Sequence, residues 1–214
     1  MKNRFPGPWR SSAHAALLAL AVAGCASDPP MRFHSLLPSE PAAAALPAGA
    51  SRTPALAVTL APVRVPAQVD QPQWLVRSPD GSLQLLEQDR WAAPLRDELH
   101  AALLEALAHR WGVLDSRTAA AAIPTWRLTV DVTRFDALPG RESRLDARWS
   151  LSATGTGAPL LACGFTLREP ATGSLADLAK AHQRAVIGLA DAAGATLRAL
   201  ARGEAARCPP ANPA

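Results

Sequence analysis

The 214 residues are enough for one domain of ordinary size, or for one domain with tails. Hydrophobic residues make up 49% and charged residues 19%, so a sizeable core can form and a chain disordered throughout is excluded. The net charge of +4 owes much to the first 24 residues, where Lys2, Arg4 and Arg10 meet no acid; the remainder sets 19 bases against 18 acids, without the clustered basic stripe of a nucleic-acid binder.

Residues 1–24 read as a signal peptide. The three bases precede an apolar run, Ala13 to Ala23, broken only by His14. That run is shorter than the roughly 20 residues that span a bilayer. It ends Leu20-Ala21-Val22-Ala23-Gly24-Cys25, and small residues before a cysteine resemble a bacterial lipobox. In that chemistry the thiol becomes a diacylglyceryl thioether, the leader is cut before the cysteine, and the new amine takes an acyl chain such as palmitate. No other cofactor is expected. Each buried methylene contributes about 0.8 kcal/mol, so three chains on Cys25 would anchor the protein permanently. The other reading is an ordinary cleavable signal that leaves Cys25 for a disulfide. Ala26, rather than Asp, after the cysteine resembles the outer-membrane sorting signal of enteric-type bacteria.

Residues 25–30 form a short tether, and residues 31–203 are expected to be one domain. Met31 to Leu37 suggests a first strand. Pro38 to Pro54 is Ala/Pro-rich without periodicity and is expected to be a flexible loop. Leu56, Val58 and Leu60 alternate as in a strand, Val63 and Val65 continue it, and Pro62 inside it argues for an edge or a bulge. Trp74 to Arg77 and Ser82 to Leu86 flank the turn Pro79-Asp80-Gly81 and predict a hairpin. The four-residue spacing of Trp91, Leu95, Leu99, Leu103 and Leu107 predicts a helix over 91–111. Asp89 is its expected N-cap, Pro94 lies in its first turn and Gly112 is its C-cap.

Three strands follow, around Leu128 to Val132, Leu145 to Leu151 and Leu161 to Leu167. Turns at Pro139-Gly140 and Gly155-Thr156-Gly157 join them into an antiparallel meander with one wet face. A second long helix is predicted over 175–202, and residues 204–214 form a Pro-rich tail. The expected fold class is α+β, a mostly antiparallel sheet with two long amphipathic helices packed on one face.

Cys163 and Cys208 remain after Cys25. In an oxidising compartment they suggest one disulfide; the alternative is two thiols, with Cys163 a small buried hydrophobe. No enzyme constellation is visible. His34, His100, His109 and His182 are scattered, and His100 and His109 face opposite sides of the first helix as solvated residues. No metal spacing or nucleophile elbow occurs, and Gly155-Thr156-Gly157 lacks the lysine and following helix of a phosphate cradle. Arg127, Arg134, Arg141, Arg144 and Arg148 interleave with Asp131, Asp136, Glu142 and Asp146, as on a solvated mixed-sign face or a docking surface for acidic groups.

The order of motifs resembles a known family. After the lipobox come a strand ending Leu36-Leu37-Pro38, then Val63-Arg64-Val65-Pro66, a hairpin, and Trp91-Ala92-Ala93-Pro94-Leu95 at a long helix. Ala147-Arg148-Trp149-Ser150-Leu151 and an Ala-rich terminal helix close the chain. This is similar to the PqiC-type auxiliary lipoproteins of ABC-type transport systems that contain an MCE-domain protein. The resemblance implies no enzyme. It implies an outer-membrane lipoprotein facing the periplasm, partnered with an MCE-domain protein in lipid transport between the membranes and in membrane integrity. A ring-shaped homo-oligomer would suit that role. Pro66, Trp91, Pro94, Leu95 and Trp149 are its motif residues, as core or as partner contacts. Cys163, Cys208 and the long Ala/Pro stretch are not part of the pattern. The alternatives are a lipoprotein that binds a lipid or small ligand between helices and sheet, or a structural lipoprotein of another envelope assembly.

Overall fold

The structure, a computed structural model, describes residues 29–39, 56–120, 122–154, 159–205 and 207–210. The lipobox, Cys25, most of the Ala/Pro stretch and the turn at 155–157 lie outside the described residues. The described residues from Met31 onward belong to one compact unit; Pro29 and Pro30, which fall in the other, are exposed.

Among the described residues, eight strands and two long helices make up the domain. The strands are β1 (Arg32–His34), β2 (Ala57–Leu60), β3 (Gln73–Arg77), β4 (Leu83–Trp91), β5 (Leu114–Asp115), β6 (Thr125–Leu138), β7 (Glu142–Ala153) and β8 (Pro159–Pro170). The helices are α1 (Leu95–Trp111) and α2 (Leu175–Ala201), with a 3-10 turn at Ala67–Val69.

The long strand β6 organises the sheet. Along one edge it pairs antiparallel with β7 over nearly its whole length, and β7 pairs antiparallel with β8. Its other edge is shared. β2 runs parallel to its first half, with β5 parallel beyond β2, while Val76 of β3 reaches Ala137 near its end. β3 forms a hairpin with β4, and β1 lies parallel to β4. Four of the seven pairings are therefore parallel. The sheet is mixed, which corrects the expectation of a mostly antiparallel one. The reason is that alternation fixes which face a side chain takes, not the direction of its neighbour. The short strands β1, β2 and β5 meet partners far along the chain, where no hairpin turn announces the pairing.

Alternation places Leu128, Val130 and Val132 of β6 in the core beside Leu145, Ala147, Trp149 and Leu151 of β7. A bulge between Val132 and Arg134 absorbs Thr133, so the inward parity switches to Phe135 and Ala137. Both helices bury their apolar stripes in this same cluster, Leu95, Leu99, Leu103 and Leu107 from α1 and Leu178, Ala185, Leu189 and Leu197 from α2. α2 starts with a capping box in which Ser174 and Asp177 exchange hydrogen bonds. Gly112 ends α1 at φ 58°, a left-handed position that favours glycine.

Four local expectations change. Trp91 ends β4 instead of opening a helix; α1 starts at Leu95 behind Pro94, because a residue before proline is driven out of helical geometry. Asp89 is not an N-cap but a buried strand residue. Val63 and Val65 form no strand; only Arg64 bridges, to Asp131. Pro62 falls just past β2, which lies between β6 and β5 rather than at an edge.

Candidate functional site

The motif around Trp91 forms a corner where β1, β4, α1 and the 3-10 turn meet. The Trp91 N–H donates to the Pro72 carbonyl at 2.9 Å, and the Ala92 N–H donates to the His34 carbonyl at 2.8 Å. Pro94, lacking an N–H, accepts from the Asp97 and Glu98 amides at 2.8 and 3.0 Å. Leu95 is fully buried. Pro66 precedes the 3-10 turn and accepts from the Val69 amide at 3.0 Å. The Arg96–Asp70 ion pair at 3.3 Å then ties that turn to α1. The structure thus brings Pro66, Trp91, Pro94 and Leu95 to one corner. The Trp91 edge, Pro72, Ala92, Ala93 and Pro94 line an open notch of about 340 Å³ there.

Beneath the notch, the Trp91 ring packs on Trp74 at a centroid distance of 4.6 Å and meets Phe135 at 5.9 Å. His182 of α2 completes this cluster, fully buried and stacked on Phe135 at 4.3 Å. Its Nδ1 shares a 2.7 Å hydrogen bond with the Ser143 hydroxyl, while Nε2 has no partner among the described residues. Burial pushes its pKa down to about 3, so the ring is neutral in the fold. In the sequence, His182 is one of several scattered histidines. The signal was present, because it sits on the apolar face of α2 four residues after Leu178 and four before Val186.

Asp89 and Glu98 clasp the first strand. Asp89 accepts two hydrogen bonds from Arg32, at 2.9 and 2.7 Å, and shares one of 2.8 Å with His34 Nε2. Burial raises its carboxyl pKa, but the Arg32 and His34 contacts outweigh burial and hold it below the usual carboxylate range. Glu98, also buried, accepts from the Ser35 hydroxyl at 2.7 Å and the Leu36 amide at 2.8 Å.

Trp149 is absent from this corner. It lies in β7, buried, and lines a second cleft of about 460 Å³ between α2 and β8. At that cleft Arg110 grips Asp191 through two 2.7 Å hydrogen bonds, and the Trp111 indole donates to the same carboxylate at 2.8 Å. Pro209 and Pro210 form part of its wall. Just before them, Cys208 is bonded to Cys163 of β8, with a Cα–Cα distance of 5.5 Å. The opposite face of the sheet carries mixed charge. Arg77 and Arg134 pair with Asp136, Arg134 and Arg144 with Asp146, and Arg64 with Asp131. Among the described residues no group of three His, Cys, Asp or Glu could hold a metal ion. Nor is any helix among them long and apolar enough to cross a membrane.

The mixed-sheet α+β fold is shared with several solved structures. The model of the ABC-type transport auxiliary lipoprotein component family matches residues 35–193, and the chain belongs to that family. No curated protein matches. Among solved structures, an uncharacterized protein shares 14% identity at a TM-score of 0.63, covering 79% of this chain and 99% of its own. A Xanthomonas campestris protein of the DUF330 family shares 21% identity at a TM-score of 0.57, covering 69% and 87%. At these identities the likeness shows the fold alone. PelC from Paraburkholderia phytofirmans, solved as a dodecamer, has a TM-score of 0.32 over 64% of this chain and 90% of its own, at 15% identity, too remote to carry an argument about assembly.

Proposed function

We propose that the protein is an outer-membrane lipoprotein, anchored through Cys25 and facing the periplasm. In this reading it is the accessory subunit that joins an MCE-domain protein to the outer membrane in an ABC-type lipid transport and membrane-integrity system. Family membership over residues 35–193 carries this reading. The lipobox pattern supports the anchor, and the six residues from Cys25 to Pro30 hold the domain within about 20 Å of it. The clasp on β1 supports it too, because Asp89 and Glu98 fix the point where the tether enters the fold.

The docking face in this reading is the notch beside Trp91. Its exposed members Ala92 and Pro94 leave room for a partner side chain over a rigid aromatic floor. The test is a mild-detergent pull-down of the tagged protein from its host, read by mass spectrometry. Recovery of an MCE-domain protein, lost on Ala92→Arg, is the expected result. Recovery of a different envelope machine would overturn the transport role. Cys25→Ser should release the protein into the periplasm, and membrane association of that variant in high salt would count against the anchor.

A further inference from the structure

We propose that the cleft between α2 and β8 binds the hydrocarbon chain of a lipid. The α2 wall of the cleft is made mostly of small side chains with Asp191 among them. Gly188, Asp191, Ala192 and Ala195 fall at i, i+3, i+4 and i+7, a single stripe about 10 Å long. Opposite that stripe, Trp111, Trp149 and Phe165 supply aromatic surface. The volume of about 460 Å³ lies within the roughly 300–1,000 Å³ of small-ligand sites.

The charge at the rim selects the ligand class. Arg110 is spent on Asp191 through a bidentate pair, and the Trp111 indole N–H is spent on the same carboxylate. Asp191 raises the Arg110 pKa, so the guanidinium stays charged and paired. Among the described residues that line the cleft, Arg110 and Asp191 carry the only charges and are paired with each other, so the ligand enters by its apolar end and leaves its head in water. Pro209 and Pro210, held by the Cys163–Cys208 bond, give the cleft a fixed apolar wall on its outer side. The inference rests on the transport reading only for where the chain comes from.

The test uses the mature lipidated protein in phosphatidylcholine vesicles. One set contains phosphatidylcholine with a diazirine on its acyl chain, and the other a diazirine fatty acid. After illumination, digestion and mass spectrometry locate the adducts. Adducts on the β8 and α2 peptides are expected, falling at least tenfold in Ala192→Leu and in Ala195→Leu. Labelling by the first probe identifies a membrane lipid as the source, and labelling by the second a free fatty acid; either supports the site. Ala195 is exposed on a helix and leucine is a good helix former, so that variant keeps its fold. Equal labelling of wild type and variants, or no adduct in these peptides, overturns the proposal. An unlabelled cleft in a protein that still captures an MCE-domain partner sinks the cleft alone. A labelled cleft without that partner sinks the transport role alone.

Discussion

His182 should make the fold acid-sensitive well above the range where carboxylates titrate. Its folded pKa is about 3 against 6.5 when unfolded, and burial is the cause. Below pH 6.5 the unfolded chain takes up a proton that the native ring refuses. Stability is therefore fully present above pH 6.5 and falls by about 1.4 kcal/mol per pH unit until the folded pKa is reached. Between pH 7.5 and 4.5 the loss from this one group is about 3 kcal/mol, a large part of a typical 5–15 kcal/mol stability. The perturbation is the double variant His182→Phe, Ser143→Ala. It keeps a ring against Phe135 and removes both ends of the 2.7 Å hydrogen bond, so no buried polar atom is orphaned. Urea unfolding of both proteins at pH 7.5, 6.5, 5.5 and 4.5 gives the two slopes. Carboxylates held low by their partners, Asp89 among them, act at lower pH and are shared by both proteins. The wild type should lose about 3 kcal/mol more than the variant over the window. Equal slopes would refute the reasoning, because the ring would then titrate alike in both states.

Four further outcomes follow from the packing. Gly194→Ala should cost about 1–3 kcal/mol in urea unfolding, because the new Cβ would meet the Trp111 ring at 2.4 Å and Asp191 pins that ring. Glu98→Ala strands the buried Leu36 amide and should cost about 1–3 kcal/mol, with faster hydrogen exchange over residues 32–36; unchanged exchange would remove the clasp role. Intact mass after alkylation without reductant should show no thiol at Cys163 or Cys208. Cys208→Ser should cost less than the ceiling of about 4 kcal/mol for a 45-residue loop, because the freed tail regains entropy in the native state as well.

The contrast between Trp91 and Trp149 marks how far the motifs could be read. Both stand out in the sequence as large aromatics in strand or helix patterns, and both are buried. Nothing in their spacing shows that one sits over the Trp74–Phe135–His182 cluster and the other lines a separate cleft, because β3, β6 and α2 bring those neighbours from far along the chain. Asp89 fails for the same reason. A helix N-cap is a local guess for an aspartate before an apolar stripe, whereas its partners Arg32 and His34 lie more than 50 residues away.

Local rules that act over one to four residues thus determined a good deal by themselves. Alternation located the hairpin and the meander, the four-residue stripe located α1 from Leu95 to Leu107, and the motif order carried the family. Tertiary structure decided strand direction, because side-chain alternation is the same in parallel and antiparallel pairs. It also decided the bulge that switches β6 from even to odd inward residues, the neutral buried state of His182 and the cleft beside Trp149. Each of these depends on which distant surfaces meet, and only the packed chain determines that.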